Sequence, residues 1–212
     1  MHIGFGTVNG ADGHAFKTRD GGVMRLEMLI NEINEKMYQK IVESREVDEE
    51  EARNTAKIIA LSAIKYGDLS NQASKDYIFD IDKFTSFEGD TGPYILYTIV
   101  RIKSILAKAK EQGEDLTNLT LKEADTDSQK ALMMTIARFN AMMENAYDEV
   151  APHKICAYID LANALNRFYH ENRILAEEDE TKKRSWLGLL ILTKEILEAC
   201  IDVLGFSAPE RM

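Results

Sequence analysis

The chain has 212 residues, 45% of them hydrophobic, and a formal net charge of −10. That length suits one domain with a short appendage, and the apolar content supports a packed core, which excludes a disordered chain. The acidic balance argues against non-specific adhesion to nucleic acid. It leaves room for a local basic groove, because the acid is gathered into runs such as Asp48-Glu49-Glu50-Glu51 and Glu177-Glu178-Asp179-Glu180. Cys156 and Cys200 stand far apart with no CxxC or Cys/His grouping, and His2, His14, His153 and His170 lack ligand spacing. No metal site is expected, and both cysteines read as reduced buried thiols. No run reaches the roughly eighteen apolar residues of a membrane span, and no signal peptide is recognised, so a cytoplasmic protein without membrane contact is expected.

In chain order, residues 1–8 read as one short strand followed by the hairpin turn Asn9-Gly10-Ala11-Asp12-Gly13. A lone strand cannot bury its face or satisfy its edges, so this piece reads as the remnant of a larger fold. Leu26, Leu29, Ile30, Ile33, Met37 and Ile41 predict an amphipathic helix over about 23–44. Asp48 is placed to cap a second helix, about 49–66, with Gly67 as its stop. Tyr77-Ile78-Phe79-Asp80-Ile81 alternates as a short strand does. Gly89-Asp90-Thr91-Gly92-Pro93 then gives a turn, a capping Thr or Asp, and a proline in the first turn of a helix reaching about 111. After a polar loop to Thr126, helices are predicted at about 127–149, 152–172 and 181–204. The inner stripe of the second is Ile155, Tyr158, Ile159, Ala162, Leu165 and Tyr169. The last is apolar on nearly every side, as suits the centre of a bundle, and Gly205 stops it. The expected fold is therefore mainly all-α, a helical bundle with a short N-terminal strand and hairpin.

Three segments carry possible chemistry. Phe16-Lys17-Thr18-Arg19-Asp20-Gly21-Gly22 sets two cations and a hydroxyl before a glycine pair, a composition that can clamp a polyphosphate. Local composition alone favours an ordinary solvated loop. Tyr94, Tyr97, Arg101, Ser104 and Lys108 form a line along one helix, separate from the apolar face, which suits stacking on unpaired bases and contact with phosphates. By pattern alone, tyrosines at a bundle edge and solvated cations explain the same line. Asn166, Arg167, Phe168 and Tyr169 bring polar and aromatic groups together at the end of a helix, with Tyr169 placed on the buried stripe by default.

Several stretches, in order along the chain, together resemble arginyl-tRNA synthetase, a class I aminoacyl-tRNA synthetase. They are His2-Ile3-Gly4-Phe5-Gly6 through Gly21; Ile64-Lys65-Tyr66-Gly67-Asp68-Leu69; Asp80 to Tyr97, with Phe87 and Thr91-Gly92-Pro93-Tyr94; Ala151-Pro152-His153-Lys154; and Pro209-Glu210-Arg211-Met212. The resemblance implies that Phe16 to Gly21 is a variant of the KMSKS loop, with Asp20 where the second lysine would stand. Lys17, Thr18 and Arg19 would then contact the phosphates of ATP (with Mg in the parent enzyme) during arginine activation. It also implies a division into residues 1–60, the end of a catalytic domain with connecting helices, and residues 61–212, an anticodon-binding helical bundle. Tyr94, Tyr97, Arg101, Asn166, Arg167, Tyr169 and Met212 become candidate contacts to tRNA-Arg. The nucleotide-binding fold with the arginine pocket is expected to precede residue 1, so the chain by itself is expected neither to activate arginine nor to bind ATP tightly. The competing expectation is a free-standing module for protein interaction or regulation, motivated by the acidic balance and by Met133, Met134, Met142 and Met143.

Overall fold

The computed structural model describes residues 4–10, 13 and 25–212. Lys17, Thr18 and Arg19, with most of the expected turn and loop, lie outside those residues. The described part is a helical bundle with one very small sheet. Strand β1 is Val8–Asn9 and β2 is Tyr77–Ile78; helices are α1 Leu26–Ser44, α2 Glu49–Leu69, α3 Ile81–Phe84, α4 Gly92–Glu111 and α5 Asp127–Ala137. They continue as α6 Phe139–Asp148, α7 Pro152–Ala157, α8 Asp160–Glu171, a 3₁₀ turn Ile174–Ala176, and α9 Glu180–Val203.

Helix starts follow local chemistry. The Asp48 carboxylate accepts the Glu50 and Glu51 N–H groups at 3.0 and 3.3 Å, and the acidic first turn complements the positive end of α2. Thr91 accepts from the Tyr94 N–H at 3.1 Å, and Thr126 does the same for Gln129 at 3.2 Å. At the far end of α9, Gly205 takes φ +80, and the following Phe206 N–H returns to the Ile201 carbonyl at 3.0 Å.

Three expectations are corrected, and one pairing is added to them. Val8 lies beside Tyr77 and Asn9 beside Ile78 in a parallel ladder, while most of the expected hairpin turn lies outside the described residues. The Thr7 N–H adds a 2.7 Å bond to Asp76, and this bond is the main reason the Asp76 carboxyl sits below its usual range. Gly67 is not a stop, for α2 runs to Leu69, and a side chain at 67 would collide with the Phe84 ring. The predicted helices 127–149 and 152–172 are each broken, at Arg138 and at Tyr158 to Ile159. The two breaks are tied together, because the Tyr158 hydroxyl donates to the Thr135 carbonyl where α5 ends. The second break also resets the buried stripe of α8 to Leu161, Ala162, Leu165 and Phe168, which turns Tyr169 outward.

The α1–α2 pair packs as one unit, α4 lies against both α2 and α9, and α8 lies against α5 and α9. Leu96, Ile99, Ile102, Leu132, Leu161, Leu165, Phe168, Leu187 and Leu189 are fully buried between them. Each such side chain contributes about 1.5–3 kcal/mol relative to exposure. Burial pushes the thiols of Cys156 and Cys200 up to about 12, and both are unpaired in the core. Met133, Met142 and Met143 pack against this core, while Met134 is exposed. Three of the four methionines that suggested a protein-interaction surface are therefore packing residues. Among the described residues no helix is long and apolar enough to cross a membrane.

Candidate nucleic-acid interface

One face of α4 is closed into the core by Ile95, Leu96, Ile99, Ile102 and Leu106. The residues at 94, 97, 98 and 101 fall on another face, and there they meet positions 163, 166 and 169 of α8. Spacings of three and four put each set on one side of its helix. The result is a continuous hydrogen-bonded chain. Arg101 Nη1 donates to Asn166 Oδ1 at 2.8 Å, and Asn166 Nδ2 donates to the Tyr94 hydroxyl at 2.6 Å. That hydroxyl in turn donates to Asn163 Oδ1 at 2.9 Å. A weaker 3.4 Å contact links Asn166 to Thr98. Arg101 Nη2 also donates to the Tyr97 hydroxyl at 3.0 Å.

These bonds fix the guanidinium between two rings. Arg101 Cζ lies 4.7 Å from the Tyr97 centroid and 5.5 Å from that of Tyr169, both within cation–π range. Tyr97 is 41% exposed and Tyr169 37%, whereas Phe168 is fully buried against Trp186 at 5.6 Å between centroids. Two exposed aromatic rings flanking a guanidinium held in place are chemically suited to act as a platform on which unpaired bases can stack. Because the rotamers are already fixed by neighbours, little side-chain entropy remains to be lost on binding.

Tyr97 also lines a groove of about 640 Å³ shared with Lys40, Arg45, Ile59, Phe87 and Met212. Met212 thus comes to the same place as the platform, although it is far from Tyr97 in sequence. Lys40 donates to the Thr85 carbonyl at 3.0 Å and stands 5.7 Å above the Phe87 ring. Burial first, then Lys36, hold its pKa below the ordinary lysine value, partly offset by Asp82. Arg45 bonds Glu51 at 3.0 Å, while its Nε is buried without a partner among the described residues. An unsatisfied buried donor costs about 1–3 kcal/mol, which a bound acceptor would relieve.

Of the expected tRNA contacts, Tyr94, Tyr97, Arg101, Asn166 and Tyr169 are brought together, and Met212 joins through the groove. Arg167 is not brought in: it pairs with Glu171 one turn along α8, at 3.0 Å and largely exposed. Ser104 and Lys108 continue the α4 line as exposed residues outside the cluster. Asn163, Thr98, Lys40 and Arg45 carry no signal of their own in the sequence, because their roles depend on which helix packs opposite.

The profile of the DALR anticodon binding domain matches residues 95–212, and that of the class I tRNA synthetase (R) catalytic domain matches residues 1–81. The chain is 64% identical over 221 residues to an arginine–tRNA ligase of Agathobacter rectalis, covering 100% of this chain and 37% of that protein. It is 48% identical to the ligase of Alkaliphilus oremlandii, with 99% and 36% coverage. The chain thus spans a little over a third of the length of these relatives. Its fold matches the Thermus thermophilus arginyl-tRNA synthetase at 28% identity with a TM-score of 0.85, covering 100% of this chain and 35% of that one. The arginyl-tRNA synthetase of Plasmodium falciparum gives 27%, 0.81 and the same coverage. With both domain profiles in order along its length, the chain belongs to the arginyl-tRNA synthetase family and carries that family's DALR anticodon binding domain.

Proposed function

We propose that this chain is the tRNA-recognising part of an arginine–tRNA ligase, with the α4–α8 platform and the adjoining groove receiving the anticodon loop of tRNA-Arg. The observation that carries the reading is Arg101, held by Asn166 between the exposed rings of Tyr97 and Tyr169 inside the segment matched by the anticodon-binding profile. Tyr94 and Asn163 serve as the support behind that platform, and Lys40, Arg45 and Met212 as the walls of the groove beside it. Arg167 would reach backbone phosphates only by giving up Glu171.

The ligase reaction joins arginine to its tRNA at the expense of ATP. Residues 1–81 align with a catalytic domain, which supports ATP use, and Mg would accompany the ATP in the whole ligase. Lys17, Thr18 and Arg19 would lie toward the ATP phosphates in that setting, in the cytoplasm. The proposed division at residues 60 and 61 falls inside α2, so it separates roles and not independently folding units. The residues carried here span about a third of the relatives' length, and the chain alone is expected to give no arginine-dependent ATP–pyrophosphate exchange.

Equilibrium binding to a tRNA-Arg transcript and to the same transcript with an altered anticodon tests the reading. Tighter binding of the unaltered tRNA, weakening as salt rises, is the expected result. Equal or undetectable binding at low salt would overturn it, and robust exchange by the chain alone would overturn the division of labour.

A further inference from the structure

Residues 205–212 leave α9 at Gly205 and run back across the bundle with Phe206 and Pro209 buried. Two lysines meet them there: the Lys65 ammonium lies against Gly205, where a Cβ would come within 2.3 Å of its Nζ, and Lys103 meets the residues beyond. Lys103 of α4 donates to the Glu210 carboxylate at 2.6 Å and to the Pro209 carbonyl at 3.4 Å, and lies 3.8 Å from Glu198 of α9. Glu198 is itself bonded by Lys194 at 2.9 Å, so Lys103 spans a helix carboxylate and a tail carboxylate. The Lys103 side chain is only 20% exposed, while Glu210 is 87% exposed. Met212 lines the groove with Tyr97, while Pro209, Glu210 and Arg211 line an acidic cleft of about 520 Å³ with Asp48, Glu50 and Glu51.

The tail thus contributes to the lining of both the cleft and the groove. Asp48, Glu50 and Glu51 face the cleft with Glu210, and although Arg45 pairs with Glu51 and Arg211 lines the same cleft, Lys103 is the cation bonded to the Glu210 carboxylate itself. We infer that Lys103 is a positioning residue: it pins Pro209 and Glu210 so that Met212 closes the groove beside Tyr97. Arg101 and Lys103, two residues apart on α4, thus face different ways, one building the platform and the other seating the tail. This inference rests on the reading of the groove as part of the tRNA site.

The full chain, labelled at methionine methyl groups, tests it through the Met212 resonance, the release of Met212 by carboxypeptidase, and binding of a tRNA-Arg transcript. Lys103→Met keeps the alkyl stem and removes the charge. It should move the Met212 signal toward its free-chain position with the helical spectrum and Tm kept. Release of Met212 should rise about tenfold, as for a local opening that loses a charge-assisted hydrogen bond. Glu210→Gln should do the same to a smaller extent, and Lys103→Arg should restore the wild-type signal. High salt should speed release from the wild-type chain and not from Lys103→Met. An unmoved Met212 signal and unchanged release in Lys103→Met would overturn the role of Lys103. A displaced Met212 with unchanged tRNA binding would leave the clamp standing and overturn the assignment of the groove to tRNA.

Discussion

The two halves of the candidate interface are built on different principles. Between α4 and α8, Arg101, Asn166, Tyr94 and Asn163 are joined by side-chain hydrogen bonds across two helices whose backs are sealed in the core. Around the groove, Met212 belongs to an eight-residue tail held chiefly by Phe206, Pro209 and the Lys103–Glu210 pair. The first half inherits its rigidity from the fold, and the second depends on a half-exposed ion pair that salt screens. On the proposed reading, one chain thus sets a platform braced by the fold beside a groove wall held by an ion pair. Arginine does the work at the platform because its planar fork can bond Asn166 and Tyr97 and still lie against a ring, which a lysine ammonium cannot do.

The harshest way to break the comparison is to remove what the two halves share. Phe168 is fully buried, packs edge-on against Trp186, and precedes Tyr169 in sequence. Phe168→Ala is expected to destabilise the fold by about 3–5 kcal/mol, read by urea or thermal unfolding, and to weaken platform and groove together. Arg101→Ala should separate them. It removes the guanidinium from a partly buried site and takes a donor from Asn166, so stability should change by about 1 kcal/mol, while tRNA binding falls by about 2 kcal/mol, roughly thirtyfold. The Met212 methyl signal should stay where it is. A loss of stability matching the loss of binding would mean that Arg101 is a fold residue, and the contrast between the halves would collapse.

Helix existence was legible because apolar residues recur at helical spacing and Asp48 announces one start; at Asp90/Thr91 and Asp125/Thr126 the sequence offers two caps each, and the structure uses the threonine in both. The breaks inside 127–149 and 152–172 were not, for no proline or glycine marks Arg138 or Tyr158, and the Tyr158 bond to Thr135 exists only once α5 and α7 are close. That hidden break is why Tyr169 looked like a core residue while Phe168, its neighbour, is the buried one. The line Tyr94, Tyr97 and Arg101 could be read from one helix alone. Asn163, Thr98 and Lys103 could not, since each gains its role from a partner about 69, 68 or 107 residues away in sequence. The β1–β2 pairing was hidden for the same reason, its two strands being two residues each and far apart.

The finest test concerns the two rings beside Arg101. Tyr97 accepts a hydrogen bond from Arg101 through its hydroxyl, whereas Tyr169 meets the guanidinium by its ring. Tyr97→Phe keeps the ring and loses one bond, so it should weaken tRNA binding by about 0.5–1.5 kcal/mol, and less where water replaces the lost acceptor. Tyr169→Phe keeps everything that touches Arg101 and should change binding by less than the Tyr97 variant. Replacing either ring by alanine should cost about 1–3 kcal/mol, the range for a base stacked on an aromatic side chain. The order alanine above Tyr97→Phe above Tyr169→Phe, measured in one titration series, is what a stacking platform demands. If Tyr169→Phe instead costs as much as its alanine variant, the hydroxyl and not the ring face makes the contact, and the site reads its ligand by hydrogen bonding at that edge.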